Sequence, residues 1–129
     1  MRYTAEDKRI LADLPDDQRI TDEYKRLREI YNKVQGNKLR LVLKLISRAA
    51  FMSAALTDLE NYLAKHGYTE EYQNGANQSG KKKSSEVEVY NTMVKNYSSI
   101  IKQLTDLLPD DSALPKDDGF GDFVNSRDD

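Results

Sequence analysis

The chain has no cysteine, no tryptophan, a single histidine, three prolines and six glycines in 129 residues. Without cysteine there is no disulfide, no thiol nucleophile and no thiolate metal site, and a zinc site would need carboxylates for most of its ligands. The few prolines and glycines fall mostly outside the periodic segments, which argues against an all-β sandwich with many tight turns. Long apolar runs are also missing. The most apolar passage, "LVLKLISRAAFMSAAL" at residues 41–56, is 16 residues long and contains Lys44 and Arg48. It falls short of the roughly 20 apolar residues that a membrane span requires. The opening "MRYTAEDKRI" lacks the apolar core of a signal peptide, so a cytoplasmic location is expected. The length fits one domain.

Catalytic signatures are absent as well. No phosphate-cradling glycine motif, nucleophile elbow or HExxH is present. His66, beside the stop signal Gly67, reads as a residue of a last helical turn rather than as a general base. The carboxylates alternate with lysines and arginines at helical spacing, which solvated ion pairs explain. The expectation is a protein that is not an enzyme, with no catalytic residue, cofactor or metal.

What the chain does contain is charge, unevenly distributed. Residues 1–48 carry 12 Lys/Arg against 8 Asp/Glu, residues 49–109 carry 6 against 7, and residues 110–129 carry 2 against 7. The ends are therefore basic and acidic, at +4 and −5, although the net charge is only −2. Segregation of this kind suggests a different partner at each end, or simply solvated faces and a soluble tail.

Periodicity predicts an all-α fold. In "TDEYKRLREIYNKV", Tyr24, Leu27, Ile30, Tyr31 and Val34 recur at helical spacing, Thr21 can cap the start, and Gly36 stops the helix. Asn37 can cap a second, longer helix over about residues 39–65. Of residues 41–56, 12 of 16 are apolar, so this helix is buried on more than one side, against its own chain or another subunit. A third helix over residues 85–108 starts at a capping box of Ser85 and Glu88. Val89, Tyr90, Met93, Tyr97, Ile100, Ile101, Leu104 and Leu108 form its apolar stripe, and Pro109 ends it. The two long helices, each roughly 35–42 Å at 1.5 Å per residue, suit an antiparallel pair. Candidate core or oligomer-interface residues are Leu41, Leu45, Phe51, Met52, Tyr90, Met93, Tyr97 and Ile101.

The connection "HGYTEEYQNGANQSGKKKS" is about three times the usual length between helices. Asn74-Gly75 is a turn signal compatible with a small β-hairpin, and a disordered loop fits equally well. Lys81, Lys82 and Lys83, beside a helix start, suit a phosphate or serve only solubility. The domain boundaries read as 1–19, an arm or weak helix; 20–109, the helical domain; and 110–129, an acidic disordered tail in which Phe120, Phe123 and Val124 are the isolated apolar groups.

The order "RLREIYNKVQGNKLRLVLKLISRAAFMSAALTDLENYLAKHG" followed by "EYQNGANQSGKKKSSEVEVYNTMVKNYSSIIKQLTDLLP" resembles the small terminase subunits of tailed phages and prophages. The resemblance covers about residues 21–109 and is most specific in "AAFM", "EYQNG" and "VYNTMVKNYSSIIKQL". Ser85 stands where many members of the group have proline, a change the first turn of a helix accommodates. The resemblance implies a non-enzymatic, ring-forming homo-oligomer in the host cytoplasm. Such a protein recognises double-stranded viral DNA, delivers it to the large terminase subunit that carries the ATPase and nuclease, and regulates that subunit. DNA contact would lie on N-terminal helices, with Lys25, Arg26, Arg28, Lys33, Lys38 and Arg40 concentrated around Gly36, and Lys81, Lys82 and Lys83 as a second group. Phe120, Phe123 and Val124 would dock on the large subunit. Two other readings stay open: a helical structural adaptor that binds no nucleic acid, and a dimeric DNA-binding regulator reading two half-sites.

Overall fold

The computed structural model describes residues 2–76 and 78–108. The chain runs α1 (Ala5–Asp13), α2 (Gln18–Ile30), α3 (Asn37–His66), β1 (Thr69–Gln73), β2 (Ser79–Lys83) and α4 (Ser85–Asp106). It is mostly helical, with α3 antiparallel to α4, as the periodicity predicts, and with a hairpin between them. Pro109 and everything after it, including Phe120, Phe123 and Val124, lie outside the described residues.

The N-terminal stretch forms a helix because "TAED" is a capping box in which aspartate replaces the usual glutamate. The Asp7 N–H donates to Thr4 Oγ1 at 3.2 Å, and the Thr4 N–H donates back to Asp7 Oδ2 at 2.9 Å. Two orphan donors of the first turn are thereby satisfied. Next, α2 begins three residues before the predicted Thr21. Asp17 caps it, accepting the Arg19 N–H at 3.0 Å, and the Thr21 N–H already bonds to the Asp17 carbonyl inside the helix. The helix closes at Ile30, but Tyr31 and Val34 continue into the core through turns.

Gly36 does stop the segment, and for a conformational reason. Its φ of 73° with ψ of −146° lies in a region that only glycine occupies readily. Asn37 is the first helical residue of α3 rather than its cap, and no side chain caps that end. At 30 residues α3 extends about 45 Å, and α4, at 22 residues, about 33 Å. They are less equal in length than the sequence suggests, because α3 extends beyond 39–65 at both ends while α4 already reaches its C-cap at Leu107.

The start of α4 also moves by one residue. Ser84 is the N-cap, its Oγ accepting the Val87 N–H at 3.2 Å, so Ser85 and Glu88 do not form the expected box. The reason is the hairpin: the Ser84 N–H donates to the Tyr68 carbonyl at 3.0 Å, which holds Ser84 extended at the hairpin base. Glu86 and Glu88 still lie in the first turn, where the helix dipole favours carboxylates.

Of the two readings of the connection, the hairpin is the one formed. Its strands pair antiparallel from Thr69↔Lys83 to Gln73↔Ser79; beyond them the Asn74 N–H donates to the Gln78 carbonyl at 2.7 Å, and Gly75 has φ 79°. Tyr72 lies over Gly80, where a Cβ would come within 3.2 Å of the ring.

The core sits along α3, which packs on α2 and α4 and more lightly on α1. Tyr24, Val42, Leu43, Ile46, Ala49, Ala50 and Leu104 are almost wholly buried. Burial of α3 on both sides accounts for its dense apolar run. Among the described residues no helix is long and apolar enough to cross a membrane.

Candidate nucleic-acid interface

The basic residues around Gly36 divide into two groups, and burial separates them. Arg28 belongs inside: it is 3% exposed, and its Nε donates to Asp7 Oδ1 at 2.9 Å while Nη1 donates to the Tyr31 carbonyl at 2.9 Å. The Tyr24 hydroxyl donates to the same Asp7 oxygen at 2.8 Å, and the Thr4 hydroxyl to the other at 2.8 Å. Burial alone would raise the Asp7 pKa, but the bonds from Arg28, Thr4 and Tyr24 outweigh it and hold the carboxyl below its ordinary value. Burial and the hydrogen bond to Asp7 push the Tyr24 phenol upward. Arg28 thus anchors α1 to α2 and is not available to phosphate, which corrects its place among the expected DNA contacts. Sequence spacing placed it correctly on α2, but only tertiary contact gave it a buried carboxylate.

The remaining cations of the group are exposed. Lys25, Lys33 and Lys38 make no ion pair among the described residues. Arg26 binds Glu23 through Nε and Nη2 at 2.7 and 2.9 Å, and Arg40 stays 75% exposed with Glu6 at 3.8 Å. On the hairpin, Lys81 and Lys82 stand opposite Glu71 and Glu70, and Lys82 approaches Glu70 to 3.4 Å. The acidic strand therefore offsets much of the lysine run, leaving Lys83, opposite Thr69, without a facing carboxylate.

Two residues that sequence reasoning treated only as interruptions complete the surface. Lys44 and Arg48 continue from Arg40 at four-residue intervals, one above the other on the outer face of α3. Both are exposed and make no ion pair among the described residues. No Asp or Glu occurs from residue 37 to residue 57. Arg40, Lys44 and Arg48 form a row about 12 Å long at 1.5 Å per residue, with Lys33 and Lys38 at the turn below it. Exposed cations aligned without intervening carboxylates can bind a polyanion through phosphate contacts. The i, i+4, i+8 spacing was visible in the sequence, but the apolar residues between the three cations disguised it.

The apolar candidates divide similarly. Leu45 is buried; Met52, Tyr97 and Ile101 are half-buried against the core; Met93 is half-buried on α4. Tyr90 is half-buried and donates to Glu60 at 2.9 Å, stitching α4 to α3. Leu41 and Phe51, by contrast, are 51% and 46% exposed and flank the cation row. Between α2 and α4 lies an open groove of about 630 Å³, lined chiefly by Leu27, Ile30, Tyr31, Tyr97, Ile101 and Leu104. Burial pushes the Tyr31 phenol up to about 12 and raises that of Tyr97, so both rings are neutral there. Ile101 belongs to a seven-residue series with Val87 and Val94 on one side of α4, a repeat suited to helix association.

No group of three or more His, Cys, Asp or Glu side chains among the described residues is arranged to hold a metal ion. No protein-family model, curated protein or solved structure matches the chain.

Proposed function

We propose that this chain is a small terminase subunit: a non-enzymatic oligomer that recognises double-stranded viral DNA in the host cytoplasm, delivers it to the large ATPase/nuclease subunit and regulates that subunit. The observation that carries the reading is the row Arg40, Lys44 and Arg48, exposed on α3 with no acidic residue in the same stretch of helix. It supports a phosphate-binding surface close to the turn where the resemblance implies DNA contact. The apolar groove between α2 and α4, continued by Val87 and Val94, supports assembly with further copies of the chain. The resemblance over residues 21–109 supplies the packaging role itself.

Two measurements test it together. Mass in solution should show a defined oligomer of more than four subunits, and duplex DNA affinity should fall steeply with salt. A dimer reading two half-sites would point to the regulator instead. A well-folded protein with no salt-dependent DNA binding would leave the structural adaptor, a reading that the exposed Leu41 and Phe51 favour.

A further inference from the structure

The outer face of α3 poses a problem that DNA alone does not answer. Leu41 and Phe51 are about half exposed, and Lys44 and Arg48, which lie between them along the helix, have no ion pair among the described residues. Phosphates would satisfy the cations but would leave the two large apolar side chains uncovered. The complementary chemistry alternates acidic with apolar groups, and the same chain carries it. In "DDGFGDFV", at residues 117–124, Asp117, Asp118 and Asp122 are interleaved with Phe120, Phe123 and Val124. We infer that this acidic–aromatic segment of the chain docks on its own α3 face, its carboxylates against Lys44 and Arg48 and its apolar side chains against Leu41 and Phe51, and competes there with nucleic acid.

Charge and reach both favour this occupant. Residues 110–129 carry 7 acidic against 2 basic residues, whereas residues 37–57 carry four cations and no acid. Because α3 and α4 are antiparallel, Leu108 lies toward the end of α3 that holds the cation row. From Leu108 to Phe120 the chain spans at most about 40 Å when extended, against a helix diameter of about 10–12 Å, so it can pass around α3. A tethered segment also acts at an effective concentration in the millimolar range. An intrinsic affinity of only about 0.1 mM would then weaken DNA binding about tenfold. The competition rests on the proposed reading of this face as a DNA surface; the docking itself does not.

The test uses the full chain and a full-length variant with Asp117→Asn, Asp118→Asn, Asp122→Asn, Phe120→Ala and Phe123→Ala. At low salt the variant should bind duplex DNA about tenfold more tightly, and a synthetic peptide of residues 110–129 added in excess should reverse the gain. Equal affinities for the two chains would overturn the competition. A second readout involves no DNA. Since the protein has no cysteine, Ala55→Cys on the same face and Asn125→Cys form a unique pair. Oxidation should give a fast intramolecular disulfide, slowed several-fold by the five substitutions. A disulfide only between molecules, or an unchanged rate, would overturn the docking. If no chain binds DNA but the disulfide behaves as expected, the docking stands and the nucleic-acid reading falls.

Discussion

The guanidinium of Arg28 and the carboxylate of Asp7 meet at 2.9 Å with neither side chain more than 3% exposed. Both Asp7 oxygens are used, and among the described residues no buried side-chain nitrogen or oxygen lacks a hydrogen-bond partner. This pair, with Tyr24, ties α1 to α2, while Ile10, Leu11 and Leu14 pack against the core. Replacing Arg28 by Met would leave the carboxylate buried without its cation, at a cost of about 3–5 kcal/mol. Urea unfolding should show the midpoint falling at an unchanged slope. The double variant Asp7→Leu with Arg28→Met should lose less than the sum of the two single losses, because it leaves no orphan charge, although the Thr4 N–H and the Tyr24 hydroxyl still lose their acceptor. Additive losses would contradict this coupling.

The same carboxyl sets a pH dependence. Its folded pKa lies below the ordinary value of 3.8, so its contribution to stability is complete above that value. As pH falls through 3.8 the unfolded state begins to take up the proton, and the contribution is gone once pH has passed below the folded value. Between pH 5 and 8 this group should therefore add no slope to stability. Comparing thermal unfolding of wild type and Asp7→Asn from pH 2 to 7 checks the sign: the gap should close toward low pH. A gap that widened on acidification would contradict the depressed pKa.

Gly36 should be intolerant of any side chain even though there is space around it. A Cβ there meets nothing within 4 Å, so the penalty is purely one of backbone conformation. Gly36→Ala should cost about 1–3 kcal/mol, and Gly36→Asn should do no better, because the ψ of −146° lies away from the left-handed helical basin that asparagine tolerates. Calorimetry on the two variants decides the point.

Neutralising Lys44 and Arg48 with glutamine should weaken binding to all duplexes alike and reduce the magnitude of the salt slope by up to about 1.8, at roughly 0.9 counterions per phosphate contact. Arg28→Gln, by contrast, should lower stability without a comparable change of slope in the fraction that stays folded. Anisotropy titrations at several salt concentrations distinguish these. An unaltered slope in Lys44→Gln/Arg48→Gln would move the interface to Lys25, Lys33 and Lys38.

Assembly is tested on α4. Val94 is 36% exposed and lies on the same side as Ile101 of the groove, so Val94→Asp should keep the fold within about 0.5 kcal/mol while lowering the mass measured by light scattering. Leu45→Asp should instead unfold the chain, since it buries an unpaired charge in the core. A wild-type protein that is monomeric throughout the micromolar range would remove the premise.

Periodicity and turn chemistry determined much of this protein locally. The 3.6-residue spacing of Tyr24, Leu27, Tyr31, Ile100 and Leu104 marks the core-facing stripes, and Gly36 and Gly67 mark the helix limits, because these patterns act within a few residues along the chain. Cap positions proved less legible. Asp17 and Ser84 displaced Thr21 and Ser85, and Ser84 did so because a contact with Tyr68, remote in sequence, holds its backbone. Side-chain surroundings were not legible at all. Arg28 and Arg26 are near neighbours on one helix with the same charge, yet one is sealed against Asp7 and the other is exposed beside Glu23. Likewise Leu45 and Leu41 belong to one apolar run, but only Leu45 faces the helices packed on α3. Helical spacing fixes the relative directions of side chains along one element, whereas the identity of what meets each face depends on contacts between distant segments. That is why the tertiary structure alone separated structural cations from those available to a partner.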